Sequence, residues 1–205
     1  MKKCLITTKN LKKERINYLN YDFFIGVEKG AKFISKNKKI KNKYYISDFD
    51  SLKNYEDKLQ KTGKIIILEK EKDFSDVEEA IKYAILNGYK NNQIELFVNE
   101  NLGRKDHLFN IFNLARKYEI LVYGNKFKIT PIKKNQEKII KKDRYKYLSI
   151  FIFEKTIITT SNLKWDLKNR EFNPNSSTNL ISNEITKDQA KIKSSNLILI
   201  VQAND

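Results

Sequence analysis

The chain has 205 residues, 40% hydrophobic and 12% aromatic, which excludes a disordered polyelectrolyte and supplies one large core or two small ones. Its net charge of +16 comes from Lys and Arg spread along the whole length, alongside abundant Asn and Ile with AT-rich codons; compositional bias therefore accounts for the charge better than a dedicated polynucleotide surface. The one cysteine, Cys4, excludes an intramolecular disulfide and a multi-cysteine zinc site, and no apolar run approaches a signal peptide or the ~20 residues of a membrane span, so a cytoplasmic protein is expected.

Short apolar runs alternate with helical patterns over the first 123 residues. Strands are expected at Lys3–Thr7, Phe23–Val27, Tyr44–Ile46, Lys64–Leu68, Glu95–Val98 and Ile120–Tyr123. A helix should follow Ser75, with Val77, Ala80, Ile81, Ala84 and Ile85 on one face and Gly88 at its C-terminal cap. Ser75 and Glu78 have the spacing of a capping box. A second helix is expected through Leu108, Ile111, Phe112 and Ala115. Alternating strands and helices imply a mostly parallel sheet covered by helices, which binds ligands at the carboxyl ends of its strands.

Beyond Gly124 the texture changes to short β-prone runs: Phe127–Ile132, Tyr147–Phe153, Thr156–Thr160, Leu163–Leu167 and Leu197–Val201. Only Thr186–Ile192 hints at a helical period. The expected fold class is thus an α/β N-terminal domain (1–125) followed by an all-β sandwich domain (126–205).

Carboxylates gather just after the expected strands. Glu28 follows the second, Asp48 and Asp50 the third, Asp73 and Asp76 the fourth, and Asp106 the fifth. Two aspartates in an Asp-x-Asp loop can share a magnesium ion that also binds substrate phosphates. Taken singly, each feature has a plainer explanation. An Asp-x-Asp is commonly a solvated turn, Ser75 and Asp76 suit a helix N-terminus, and Arg104 and His107 suit a helix surface. The concentration of acids at one sheet edge in so basic a chain is what independent decoration would not produce.

Ser47-Asp48-Phe49-Asp50-Ser51, Lys72-Asp73-Phe74-Ser75-Asp76 with Ala80, and Gly103-Arg104-Lys105-Asp106-His107 resemble, in order and spacing, motifs of the thiamine pyrophosphokinases. Val27-Glu28-Lys29-Gly30-Ala31-Lys32 resembles their Ala-Asp-Gly-Gly-Ala-Asn segment. Asn162-Leu163-Lys164-Trp165-Asp166-Leu167 and Ser182-Asn183-Glu184 resemble their second-domain elements. The chain departs from the family at Lys29, Ser47, Leu102 and Asn162, which stand for glycines, at Glu28 for Asp, and at Lys32 for Asn.

The resemblance implies transfer of pyrophosphate from ATP to the hydroxyl of thiamine, with magnesium as cofactor and a homodimer holding thiamine between one copy's first domain and the other's second. Asp48, Asp50 and Asp76 would hold the metal, and Glu28, Lys72, Asp73, Ser75, Arg104 and His107 would serve the nucleotide. Arg104 offers a planar fork for phosphate oxygens. Asp106 would orient Arg104 or help take the hydroxyl proton. Trp165 would meet the thiazolium cation with its indole face, and Ser182 and Asn183 would hydrogen-bond thiamine or its phosphates. A pyrophosphokinase for another hydroxymethyl heterocycle, such as a pterin, and a non-catalytic nucleic-acid or regulatory binder on the same scaffold are the alternatives.

Overall fold

The computed structural model describes residues 2–11, 16–47, 55–68, 74–99, 105–175 and 180–205. The chain packs as two compact units, Met1–Asn99 and Glu100–Asp205, each considered by itself.

The first unit alternates β1 (Lys3–Thr7), β2 (Tyr21–Val27), α1 (Lys29–Lys36), β3 (Lys43–Ser47), α2 (Glu56–Gln60), β4 (Lys64–Ile67), α3 (Asp76–Leu86) and β5 (Ile94–Phe97). Its strands lie in the order β4-β3-β2-β1-β5, and every pairing within the unit is parallel. Continuous burial along Cys4–Thr7, Phe23–Val27 and Ile94–Phe97 explains why these runs are apolar at consecutive positions rather than alternate ones: both faces of the sheet are covered. α3 turns Ala80, Ile81 and Ala84 inward and ends as expected, with Gly88 at φ 88° and its N–H donating to the Ile85 carbonyl at 2.9 Å. Helix α1 was not expected; Ala31, Phe33 and Ile34 bury its inner face.

The second unit begins with α4 (Lys105–Tyr118) and continues through β6 (Leu121–Tyr123), β7 (Phe127–Ile132), β8 (Gln136–Lys141), β9 (Tyr147–Ile152), β10 (Thr156–Ser161), β11 (Arg170–Phe172), β12 (Gln189–Ser194) and β13 (Ile198–Ala203). Antiparallel pairs build one layer, β6-β7-β13-β9, and a second sheet, β11-β10-β12-β8. Ile132, Leu148, Ile150, Ile198 and Ile200 from the first layer share a core with Ile140, Ile158, Phe172, Ala190 and Ile192 from the second. This is the expected sandwich. α4 packs against β7 and β13, and Phe112 meets Phe151 edge-on at 5.1 Å.

Two local expectations are corrected. Leu163–Leu167 is not a strand: Asn162 takes φ 67°, and the Asp166 carboxylate accepts from the N–H groups of Asn162 and Leu163 at 3.1 and 3.0 Å, folding the segment into a turn. The hint of helix at Thr186–Ile192 gives way to β12, where Ala190, Ile192 and Ser194 alternate inward with exposed Gln189, Lys191 and Lys193.

Candidate functional site: a strand-end edge and a tryptophan pocket

At the carboxyl edge of the first unit, the chain turns from β2 into α1 through Glu28, whose φ of 46° and ψ of −116° are sparsely populated for a residue with a side chain. Such strain persists where the surroundings enforce it. Here the enforcement is the packing of α1 on the end of β1: a Cβ on Gly30 would lie 1.8 Å from the Thr7 carbonyl oxygen, so only glycine admits the approach. The result places the N-terminal turn of α1, with its outward N–H groups, beside the end of β1.

The end of β1 is itself polar. Thr7 Oγ1 accepts from the Lys9 N–H at 3.1 Å and donates to the Lys9 carbonyl at 3.0 Å. Lys9 is only 5% exposed, and Thr8 Oγ1 is buried with no hydrogen-bond partner among the described residues. Sequence reasoning missed both, because it looked for acids after strands and not for a hydroxyl or a lysine there. A cavity of about 570 Å³ opens beside this edge, lined by Asn10, Lys29, Lys32, Lys36, Lys38 and Lys39, among others. Five lysines, among them the departures Lys29 and Lys32, make its wall strongly basic.

β3 and β4 run parallel with Ser47 opposite Ile67, and the Leu68 N–H donates to the Ser47 carbonyl at 3.1 Å. β3 and β4 therefore end side by side at one edge. Asp48, Asp50, Lys72, Asp73 and Arg104 themselves lie outside the described residues. Ser75 caps α3, its hydroxyl accepting from the Glu78 N–H at 3.3 Å, and Asp76 is half-buried as the first residue of that helix. In the second unit, Asp106 and His107 are exposed in the first turn of α4, where Asp106 Oδ1 accepts from the His107 N–H at 3.0 Å.

The second unit holds a separate cavity of about 410 Å³, walled by Ile150, Trp165, Leu167, Arg170, Ile181 and Asn183, among others. Trp165 is 56% exposed, so it is not a core tryptophan of the sandwich. Lys164 Nζ lies 4.9 Å from its ring centroid, which shows a cation already resting near the indole. Asn183 is buried, and its amide is committed: Oδ1 accepts from the Trp165 N–H at 3.2 Å and the Glu184 N–H at 2.9 Å, while Nδ2 donates to the Trp165 carbonyl at 2.9 Å. Asn183 thus positions the tryptophan. Its exposed neighbour Ser182 sits at φ 58° with its N–H donating to Ser149 Oγ at 3.1 Å.

The family model for the thiamin pyrophosphokinase catalytic domain matches residues 17–129, more than half of the chain, and the model for the thiamin pyrophosphokinase vitamin B1 binding domain matches residues 136–199. The chain belongs to the thiamin pyrophosphokinase family. Among solved structures it is similar to a family protein from Enterococcus faecalis, with 22% identity, 99% of each chain covered and a TM-score of 0.82. It is also similar to the thiamine pyrophosphokinase of Bacillus subtilis, with 21% identity, full coverage of both chains and a TM-score of 0.74. The Candida albicans thiamin pyrophosphokinase is 14% identical over 99% of this chain and 90% of its own, with a TM-score of 0.71. At these identities the structural likeness establishes the fold, and the family models establish membership. A comparison with curated protein sequences finds no match. No helix among the described residues is long and apolar enough to cross a membrane.

Proposed function

We propose that this chain transfers the pyrophosphate group of ATP to the hydroxyl of thiamine, as an ATP:thiamine diphosphotransferase. The observation that carries the reading is that the catalytic and vitamin B1 binding models match in succession on one chain, the second spanning the Trp165–Asn183 pocket. In the reaction, the hydroxyl oxygen of thiamine bonds to the β-phosphorus of ATP and the bond from that phosphorus to the bridging oxygen breaks. AMP departs with the electron pair, and the hydroxyl proton passes to a carboxylate or to water.

The residues divide this work by chemistry. The basic wall formed by Lys29 and Lys32 would attract ATP, and the α1 N-terminus with Lys9 and Thr8 offers donors to phosphate oxygens. Arg104 and Lys72 would grip the transferring group, with Glu28, Asp73, Ser75 and His107 around the nucleotide. Asp48, Asp50 and Asp76 would hold magnesium, which when bound neutralises the phosphate charge. The donor set fits, since all three offer only hard carboxylate oxygens and Asp76 stands half-buried at the start of α3. Asp106 is the proposed group that orients Arg104 or accepts the proton. Trp165 would stack on the thiazolium, held in place by Asn183, with Ser182 at the rim. The proposal includes a catalytic domain at 1–125, a thiamine-binding domain at 126–205, a homodimer and a cytoplasmic location.

The test incubates the purified protein with ATP, magnesium and thiamine and measures thiamine diphosphate and AMP. Thiamine-dependent AMP release that disappears in Asp50→Ala supports the reading. A folded protein that binds ATP yet forms no product overturns it.

A further inference from the structure

The second unit has another cavity, of about 440 Å³, that the proposed reaction does not use. It is bounded by β6, β7, β8, β13 and the residues just after β8, and its volume falls in the range of small-molecule sites. Four lysines line it, Lys128, Lys138, Lys141 and Lys142, against one carboxylate, Asp143, whose oxygen is 4.0 Å from Lys128 Nζ.

Two buried polar atoms belong to residues of the same lining. Thr130 is 4% exposed and Gln202 1% exposed, and neither Thr130 Oγ1 nor Gln202 Oε1 has a hydrogen-bond partner among the described residues. The pairing of β7 with β13 sets Thr130 opposite Ile200 and Lys128 opposite Gln202, so all four lie on one face of that layer. The Gln202 amide is oriented by its Nε2, which donates to the Lys141 carbonyl at 3.1 Å and leaves Oε1 as an acceptor in want of a donor. Lys138 Nζ donates to the Pro131 carbonyl at 3.1 Å, which satisfies one of its three hydrogens. Unpaired buried polar groups are costly, so a ligand that satisfied both atoms would be favoured here.

We propose that this cavity binds a small phosphate-bearing anion, with the lysines neutralising its charge, Thr130 Oγ1 donating to a phosphate oxygen and Gln202 Oε1 accepting from a phosphate or ligand hydroxyl. A bare carboxylate or a halide offers no hydroxyl to Gln202, whereas inorganic phosphate near neutral pH does. Burial pushes the Lys138 ammonium below its ordinary range, and the like charges of Lys128 and Lys133 add to the effect. An anion in the cavity would relieve the repulsion between Lys128 and Lys138. The site is independent of the proposed catalytic reading and does not depend on it.

The probe is inorganic phosphate, titrated into the full-length protein in the presence of EDTA, so that magnesium-dependent binding at the strand-end edge is suppressed. Phosphorus NMR should show saturable binding of one equivalent. Lys138→Met and Thr130→Val, which keep side-chain length and shape, should each weaken it by about tenfold or more. Lys193→Met, on the exposed face of β12, should not. Amide shift changes should centre on residues 128–143 and Gln202, a readout that stands even if Lys138→Met fails to fold. Absence of saturable binding, equal weakening by Lys193→Met, or shift changes confined to the first unit would each overturn the proposal.

Discussion

The side-chain amide of Asn183 clamps the main chain of Trp165 from both sides, taking its N–H on Oδ1 at 3.2 Å and giving Nδ2 to its carbonyl at 2.9 Å. These residues are 18 apart in sequence, and the clamp fixes an otherwise exposed indole at the mouth of its cavity. Asn183→Ala should therefore raise KM for thiamine roughly tenfold with little change in KM for ATP. It should also lower stability by about 1 kcal/mol, since part-buried hydrogen-bonding groups of Trp165 lose their partner. Steady-state kinetics in each substrate and urea denaturation separate the two effects; a matching rise in both KM values would contradict the positioning role.

Trp165 is the sole tryptophan, so its fluorescence reports this site alone. Thiamine should change the emission saturably. Trp165→Ala should weaken thiamine by roughly tenfold, the scale of a desolvated cation–π contact, while shifting stability by less than about 0.5 kcal/mol because the ring is exposed. A strong loss of stability would instead mean that the ring packs as a structural element.

Asp76 has two possible uses at the start of α3, as a metal ligand and as a favourable charge at the helix N-terminus. The second contributes only about 0.3–1 kcal/mol. If the first operates, Asp76→Ala should reduce kcat roughly 100- to 1000-fold, while the thermal midpoint moves by only a few degrees. Near-normal turnover at saturating magnesium would leave only the helix-end role.

The turn before Trp165 depends on Asn162 at φ 67°, where asparagine is tolerated and a β-branched residue is not. Asn162→Gly should be close to neutral for the backbone, although it gives up the hydrogen bond from Nδ2 to the Gln189 carbonyl at 3.0 Å. Asn162→Val should cost about 1–2 kcal/mol more than Asn162→Gly, measured by denaturant midpoints. Equal stabilities would show that the turn relaxes without strain.

Cys4 is fully buried in β1, and burial pushes its thiol well above the ordinary range, with the Asp22 carboxylate adding to the shift. At pH 8 an unfolded chain, with its thiol pKa at about 8.5, is partly thiolate and reactive. Native protein should label only as fast as the first unit opens, so the rate should rise steeply with urea. Rapid labelling without denaturant would mean that β1 is not held as the structure holds it.

The parallel strand–helix unit was legible in the sequence because apolar runs and 3.6-residue spacing are short-range consequences of burial. Ser75 and Gly88 announced the ends of α3 because caps are set by neighbouring residues. The order of the acidic motifs identified the family for the same reason: each motif is a local string. Tertiary structure decided what local strings do not encode. The apolar-looking Leu163–Leu167 became a turn because Asp166 captures main-chain N–H groups, and Asn183 reaches back across 18 residues to hold Trp165. Gly30 in α1 is required by the Thr7 carbonyl at the end of β1, and Thr130 and Gln202 meet at one cavity only because β7 and β13 pair antiparallel. Hydrogen bonds and steric contacts between distant segments depend on where the folded backbone carries them, and no local periodicity records that.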